Sequence, residues 1–158
     1  MSLRNTLIRT AMRGVLAISA ALARRPALHR LSDAWARGLA AFTVRTRRIR
    51  PQSDVDALGH SWQRSFPSAK QVPITGGDAQ TVYAEIHTPC PLRGSGDVHA
   101  CHRMMEYDRA VLRRAGGQFV VLRSQAEPGV TRCQVAMRRH DAPVDDLLPA
   151  HVRVPASS

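Results

Sequence analysis

The first half of the chain carries apolar residues at helical spacing. In residues 27–47 they recur every three or four positions, with arginines on the remaining faces, at Leu28, Leu31, Trp35, Leu39 and Phe42. Residues 3–24 show a similar periodicity. Pro26 separates the two segments, because the residue before a proline is disfavoured in the helical conformation. The pattern therefore predicts two N-terminal helices, over about residues 3–24 and 27–47, which can pair as a hairpin.

A third helix is predicted after Ser53. Ser53 and Asp56, three residues later, together resemble a capping box. Pro67 ends this helix, whose apolar stripe consists of Val55, Leu58, Trp62 and Phe66. Residues 68–80 contain a proline and paired glycines. They are therefore predicted as a loop with a short strand at residues 72–75.

From residue 81 the apolar period changes from helical to two. Apolar positions alternate with polar ones at Val82, Ala84 and Ile86, which predicts a half-buried strand. Prolines on both sides of Cys90 stop this strand and hold the thiol in an extended loop. Asp97 is a suitable N-cap for a helix over about residues 98–115, and Gly116 ends that helix.

A hairpin is predicted to close the domain. Its strands are residues 119–124 and 130–138, and Glu127-Pro128-Gly129 supplies the turn. These elements predict an α+β fold, in which N-terminal helices are followed by a small antiparallel sheet packed on a central helix.

Charge distinguishes three segments of what we expect to be one domain. Residues 1–50 form a basic helical segment with eleven arginines and one acidic residue, whereas the rest of the chain has twelve basic and eleven acidic residues. Residues 51–140 form the α+β core, and residues 141–158 an irregular tail. The core contains no nucleic-acid-reading motif, and aromatic residues make up only 4% of the chain. Specific nucleic-acid binding is therefore not expected.

The basic segment has two interpretations. Its arginines can be a solvated helical face, or they can bind an anionic membrane surface or an acidic partner. The chain can fold alone or as a homo-oligomer.

The N-terminus also has the form of a signal peptide. Arg4, Arg9 and Arg13 precede the apolar run 14–23, which ends in Ala-Leu-Ala. Arg24 and Arg25 follow at once, and the same residues fit an amphipathic helix. A cytoplasmic protein is therefore the favoured expectation, with export as the alternative.

Candidate chemistry is concentrated in the second half of the chain. Cys101 and Asp108 share one face of the predicted central helix, and Cys90 lies in a loop that can reach it. A carboxyl group in apolar surroundings has a raised pKa and can act as a general base. Cys101 lies near a helix start with His102 beside it, which favours a reactive thiolate. We therefore predict Cys90, Cys101 and Asp108 as catalytic residues.

Each of these residues also has a structural interpretation. A free cysteine is commonly a small core residue, and this applies most to Cys133, which faces the apolar side of its strand. Pairing with Arg109, Arg113 or a backbone amide would explain a buried Asp108.

Further residues are candidate ligands of a substrate or a metal ion. Arg103 and Arg132 can hold a substrate carboxylate, and His87 is a further candidate for substrate binding. Zinc needs four ligands, and the sequence can supply them from Cys90, Cys101, Cys133 and one of His87, His99 or His102. Cys101, Cys133 and His102 are the favoured members of this set.

These residues resemble those of the L-2-amino-thiazoline-4-carboxylic acid hydrolase family. The matching features are Cys90-Pro91-Leu92 after a strand, Cys101 with Asp108 on the next helix, and Gly129-x3-Cys133 in a hairpin. The resemblance covers about residues 80–140. Two features depart from the family pattern: six residues separate Cys101 from Asp108, and Val130 replaces an acidic residue.

The family resemblance implies a small hydrolase. It would open a C–N bond of a cyclic amidine or thiazoline with a Cys/Asp site. A more distant likeness to 4-vinyl reductase type domains, some of which bind zinc through cysteines, implies the alternative, a non-enzymatic module that binds a small molecule or zinc.

Overall fold

The computed structural model describes residues 3–153, with side chains from residue 10 onward. The side chains of Arg4 and Arg9, and the end of the predicted tail at residues 154–158, lie outside this part. The chain forms six α-helices and four β-strands within the described residues: α1 (Leu3–Ala23), α2 (His29–Arg47), α3 (Val55–Gln63), β1 (Ile74–Gly77), β2 (Val82–Ile86), α4 (Val98–Met104), α5 (Glu106–Ala115), β3 (Gly117–Arg123), β4 (Cys133–Arg139) and α6 (Ala150–Arg153).

The strands form one antiparallel sheet in the order β1-β2-β4-β3. Helices α3 and α5 pack on the sheet, and α2 packs on α5, with α1 beside α2 and α4. The core lies between these layers and includes the fully buried side chains of Leu58, Trp62, Leu112, Val135 and Met137. The predicted α+β fold is thus confirmed.

The predicted central helix differs from the structure. It is interrupted at Met105, whose ψ of 2° departs from the α-helical value, so Cys101 lies on α4 and Asp108 on α5. At the break the carbonyl of His102 accepts a hydrogen bond of 2.7 Å from the Arg109 guanidinium. A side chain therefore satisfies a carbonyl where the helix ends.

Two further predictions need correction. The N-cap of α3 is Asp54, not Ser53, because its Oδ1 accepts a hydrogen bond from the backbone N–H of Ala57 at 2.7 Å. The C-terminal segment is not entirely irregular, since it contains α6. Arg138 also holds this segment through a bidentate ion pair with Asp146, with N···O distances of 2.6 and 2.7 Å.

No helix within residues 3–153 is long and apolar enough to cross a membrane.

Candidate functional site

A cavity of about 230 Å³ lies between the α1–α2 pair and the layer formed by α5 and the sheet. Apolar side chains from both sides form most of its wall. Titratable or amide groups occupy a small part of the lining, namely Cys90, Tyr107, Asp108, Gln125 and Cys133. A mostly apolar cavity with a few convergent polar groups is typical of a small-molecule site.

Asp108 is the one carboxylate that lines this cavity among the described residues. The side chain is buried, and its Oδ1 accepts a hydrogen bond from the indole N–H of Trp62 at 2.8 Å. Burial raises the pKa of Asp108 to about 6, against the opposing effects of the Trp62 hydrogen bond and the charge of Arg109. Asp108 can therefore both take up and release a proton near neutral pH.

Cys133 and Cys101 form a buried pair of free thiols. The sulfur of Cys133 accepts hydrogen bonds from the Cys101 thiol and from the backbone N–H of Gln125, the latter at 3.3 Å. These donors lower the pKa of Cys133, whereas donation to Cys133 together with burial raises the pKa of Cys101. Cys133 lines the cavity and Cys101 does not. The hydrogen bond from the Gln125 backbone N–H therefore makes Cys133 the more acidic thiol of the pair.

Cys90 also lines the cavity, in the loop after β2. Burial raises the pKa of its thiol. The amide of Gln125 fixes this loop. Its Oε1 accepts hydrogen bonds from the Cys90 backbone N–H and from the Arg93 guanidinium, and its Nε2 donates to the carbonyls of Ile86 and Thr88. Cys90 is therefore held at the cavity wall by a buried amide.

Six hydroxyl side chains also line the cavity, namely Ser19, Ser32, Thr43, Ser65, Thr88 and Tyr107. The Tyr107 hydroxyl donates to Thr43 Oγ1 at 3.0 Å and so joins α5 to α2. Thr88 Oγ1 is buried and has no hydrogen-bond partner among the described residues. A buried hydroxyl without a partner is costly, so Thr88 is suited to bind a polar atom of a ligand.

The structure places the predicted substrate-binding residues away from the cavity. His87 and Arg132 both contact Glu85 Oε2, at 2.7 and 3.3 Å, and none of these three side chains lines the cavity. Arg103 donates to the backbone carbonyl of Ala23 at 2.8 Å and so connects α4 to α1. These residues therefore stabilise the fold around the site without lining it.

The predicted zinc ligands do not come together either. The ring of His102 stacks on that of His151, with centroids 3.7 Å apart, and its Nδ1 lies 3.4 Å from the Arg109 guanidinium. Within the described part of the chain, no group of three or more His, Cys, Asp or Glu side chains is arranged to hold a metal ion. Cys101 and Cys133 are adjacent, but His102 belongs to a different cluster.

Sequence reasoning missed three residues of the site. Trp62 was assigned to a core stripe, and its hydrogen bond to Asp108 spans 46 positions. Gln125 and Tyr107 carried no local signal, because a single polar residue next to a turn or on a helix is usually exposed. The family resemblance was the main indication that Cys133 belongs to the site, beside its place in the predicted zinc set.

Comparisons with protein-family models, with curated proteins and with solved structures found no match to this chain.

Proposed function

We propose that the protein is a small hydrolase that opens the C–N bond of a cyclic amidine, with Asp108 and Cys133 as the reacting groups. One observation carries the proposal. A carboxyl group with a pKa of about 6 shares an apolar cavity with a thiol whose pKa is lowered by hydrogen bonds. A proton donor and acceptor beside an activated nucleophile is the combination that hydrolysis of an amidine requires.

The proposed reaction starts from the protonated amidine. The Cys133 thiolate bonds to the amidine carbon, and neutral Asp108 gives its proton to the ring nitrogen as the C–N bond breaks. The Asp108 carboxylate then takes a proton from the water that attacks the sulfur-bound carbon. The thiolate leaves, and the remaining proton passes to the released amine. One water is consumed in each turnover.

The remaining groups have supporting roles in this proposal. Cys101 is a positioning residue, because its thiol donates to Cys133 and does not line the cavity. Trp62 orients Asp108 and stabilises its charged form through the 2.8 Å hydrogen bond. Thr88 Oγ1 is available to accept a hydrogen bond from the amidine nitrogen, or to donate one to it.

The residues of the cavity wall restrict the charge that a substrate can carry. No arginine or lysine is among the described residues that line it. A substrate with a carboxylate would therefore enter without a cationic partner, which is unfavourable in apolar surroundings. The proposed substrates are cyclic amidines, such as 2-aminothiazolines, with an apolar substituent in place of the carboxylate that the family resemblance implies.

Turnover of alkyl-substituted 2-aminothiazolines tests this proposal, with the ring-opened product followed by mass spectrometry. Asp108→Asn and Cys133→Ser are each expected to reduce kcat/KM by about 100-fold or more. Asp56→Asn, which makes the same change at an exposed carboxylate of α3, is the matched control and should be neutral. Turnover that survives in both site variants would contradict the proposal.

A non-enzymatic small-molecule-binding module is the second candidate. The nearly continuous apolar wall of the cavity favours it, because such a wall retains an apolar ligand without any chemistry. Stoichiometric binding of Nile red, displaced by thiazolines that the protein leaves unchanged, would support this candidate over the hydrolase.

A further inference from the structure

Helix α2 exposes a strip of apolar side chains. Leu31 is 54% exposed and Phe42 is 69% exposed. The two residues are eleven positions apart, which is three helical turns, so they lie on the same side of α2. Gly38 lies between them and is also exposed. Exposed apolar side chains mark an interaction surface where they belong to a larger apolar patch, and Phe42 is continuous with the apolar lining of the cavity.

Arginines border this apolar strip. Arg30 and Arg45 are both exposed and lie on α2, close in sequence to Leu31 and Phe42 respectively. Among the described side chains of residues 10–50, Arg37 is the only arginine in an ion pair, with Asp33 and Glu106. Most of the positive charge of the α1–α2 layer is therefore not neutralised within the described part of the chain.

The same surface gives access to the cavity. Phe42 is largely exposed and yet lines the cavity, so it stands where the cavity wall meets solvent. Met12 of α1 and Trp35 of α2 are partly exposed and also line it. The apolar interior thus approaches the surface between α1 and α2, beside the exposed strip and its arginines.

We propose that the α1–α2 layer docks on an anionic lipid bilayer, with α2 lying in the plane of the interface. Charge complementarity selects this partner, since the unpaired arginines match anionic headgroups. The side chains of Leu31 and Phe42 enter the region between headgroups and acyl chains. An acidic protein is the alternative partner, and the absence of vesicle binding would overturn the bilayer proposal in its favour. The proposal does not depend on the chemistry at Asp108.

The experiment is sedimentation of the full chain with phosphatidylcholine vesicles, prepared with and without phosphatidylglycerol. The wild type should sediment only with the anionic vesicles, and less at high salt. Each basic residue near an anionic surface contributes roughly fivefold to partitioning, so the double variant Arg30→Gln/Arg45→Gln should lose about 20-fold. The double variant Leu31→Ser/Phe42→Ser should lose about tenfold or more.

Two matched controls make the same kinds of substitution outside the α1–α2 layer. Arg123→Gln/Arg132→Gln removes the same charge at sites that contact Glu127 and Glu85 near the sheet. A second control, Leu148→Ser/Val152→Ser, changes apolar side chains that are 54% and 60% exposed in the C-terminal segment. Both controls should bind like the wild type. Circular dichroism of every variant checks that its helices are intact.

Several results would overturn the proposal. The first is a failure of the wild type to sediment with anionic vesicles, and the second is equal sedimentation with neutral ones. The third is a loss of vesicle binding in the two control variants that is as large as the loss in the variants of α2. A dimer in gel filtration that Leu31→Ser/Phe42→Ser converts to a monomer, without vesicle binding by the wild type, would assign the strip to a second copy of this chain instead.

Discussion

The indole N–H of Trp62 donates a 2.8 Å hydrogen bond to Oδ1 of Asp108, and both side chains are buried. The bond connects α3 to α5. Trp62 also packs against Phe66 and Phe119, with ring centroids 5.0 and 5.6 Å away. A core aromatic side chain therefore determines the orientation of the Asp108 carboxyl. A change of Trp62 should alter both the stability of the fold and the chemistry of the site.

Trp62→Phe should therefore have two effects. Loss of the hydrogen bond and of part of the indole volume should reduce the free energy of unfolding by about 2–4 kcal/mol. The pKa of Asp108 should rise above about 6, because the lost hydrogen bond favoured the charged form. Urea unfolding and NMR titration of the carboxyl measure the two effects. Trp35→Phe removes a half-buried hydrogen bond to Ser19 at the other tryptophan and is the matched control for stability, with a smaller expected loss.

Asp108 should make the fold less stable as the pH rises. Its pKa is raised by burial from the ordinary 3.8 to about 6, so the folded state binds the proton more tightly than the unfolded state. The contribution of Asp108 to stability is therefore complete below pH 3.8 and is lost as the pH rises from 3.8 through about 6. Over this range the wild type should lose about 3 kcal/mol relative to Asp108→Asn, measured by denaturant unfolding. A difference that stays constant with pH would contradict the burial of an ionised carboxylate.

His102 should make the fold less stable as the pH falls, which is the opposite of the effect of Asp108. Burial, and then the charges of Arg109 and His151, lower the pKa of His102 from 6.5 to about 4. The folded state therefore disfavours the protonated ring, and stability is lost as the pH falls from 6.5 to about 4. Because the ring is only about half-buried, we expect about 1–2 kcal/mol. His102→Gln should remove this part of the acid sensitivity in unfolding titrations, whereas His60→Gln, at an exposed position, should retain it.

The Gln125 amide should be among the most sensitive positions of the fold. Gln125→Leu removes the hydrogen-bond partner of the Cys90 backbone N–H and of two backbone carbonyls, and leaves the Arg93 guanidinium with the Thr131 carbonyl alone. We expect a loss of about 3 kcal/mol or more in the free energy of unfolding. Gln134→Leu changes an exposed glutamine of β4 and should stay within about 0.5 kcal/mol of the wild type. Equal effects of the two changes would show that the buried amide adds nothing to stability.

Gly59 allows α3 to approach the sheet closely. A Cβ at this position would lie 2.7 Å from Cγ1 of Val82 on β2. Gly59→Ala should therefore reduce the free energy of unfolding by about 1–3 kcal/mol. Gly38→Ala on α2 meets nothing within 4 Å and should instead stabilise by up to about 1 kcal/mol. Thermal unfolding of both variants checks the opposite signs.

The sequence by itself determined which segments are helices and which are strands. Apolar periodicity is a local property, so the helices over 29–47 and 55–63 and the strand at 82–86 were found within a few residues of their bounds. The inward orientation of Asp108 followed from the same periodicity. The break at Met105 was not found, because neither proline nor glycine marks it.

Only the tertiary structure decided which reactive groups meet. Cys101 lies on the apolar face that its spacing predicted, yet packing places it against Cys133 and away from the cavity lining. Arg103 and Arg132 have a suitable charge for a substrate carboxylate. In the structure, however, Arg103 donates a hydrogen bond to the backbone carbonyl of Ala23, and Arg132 donates one to the carboxylate of Glu85. The physical reason is that burial and hydrogen-bond partners arise from segments far apart in sequence. Burial raises the pKa of Asp108 and a hydrogen bond from a tryptophan 46 positions away opposes the rise, and no local pattern indicates either effect.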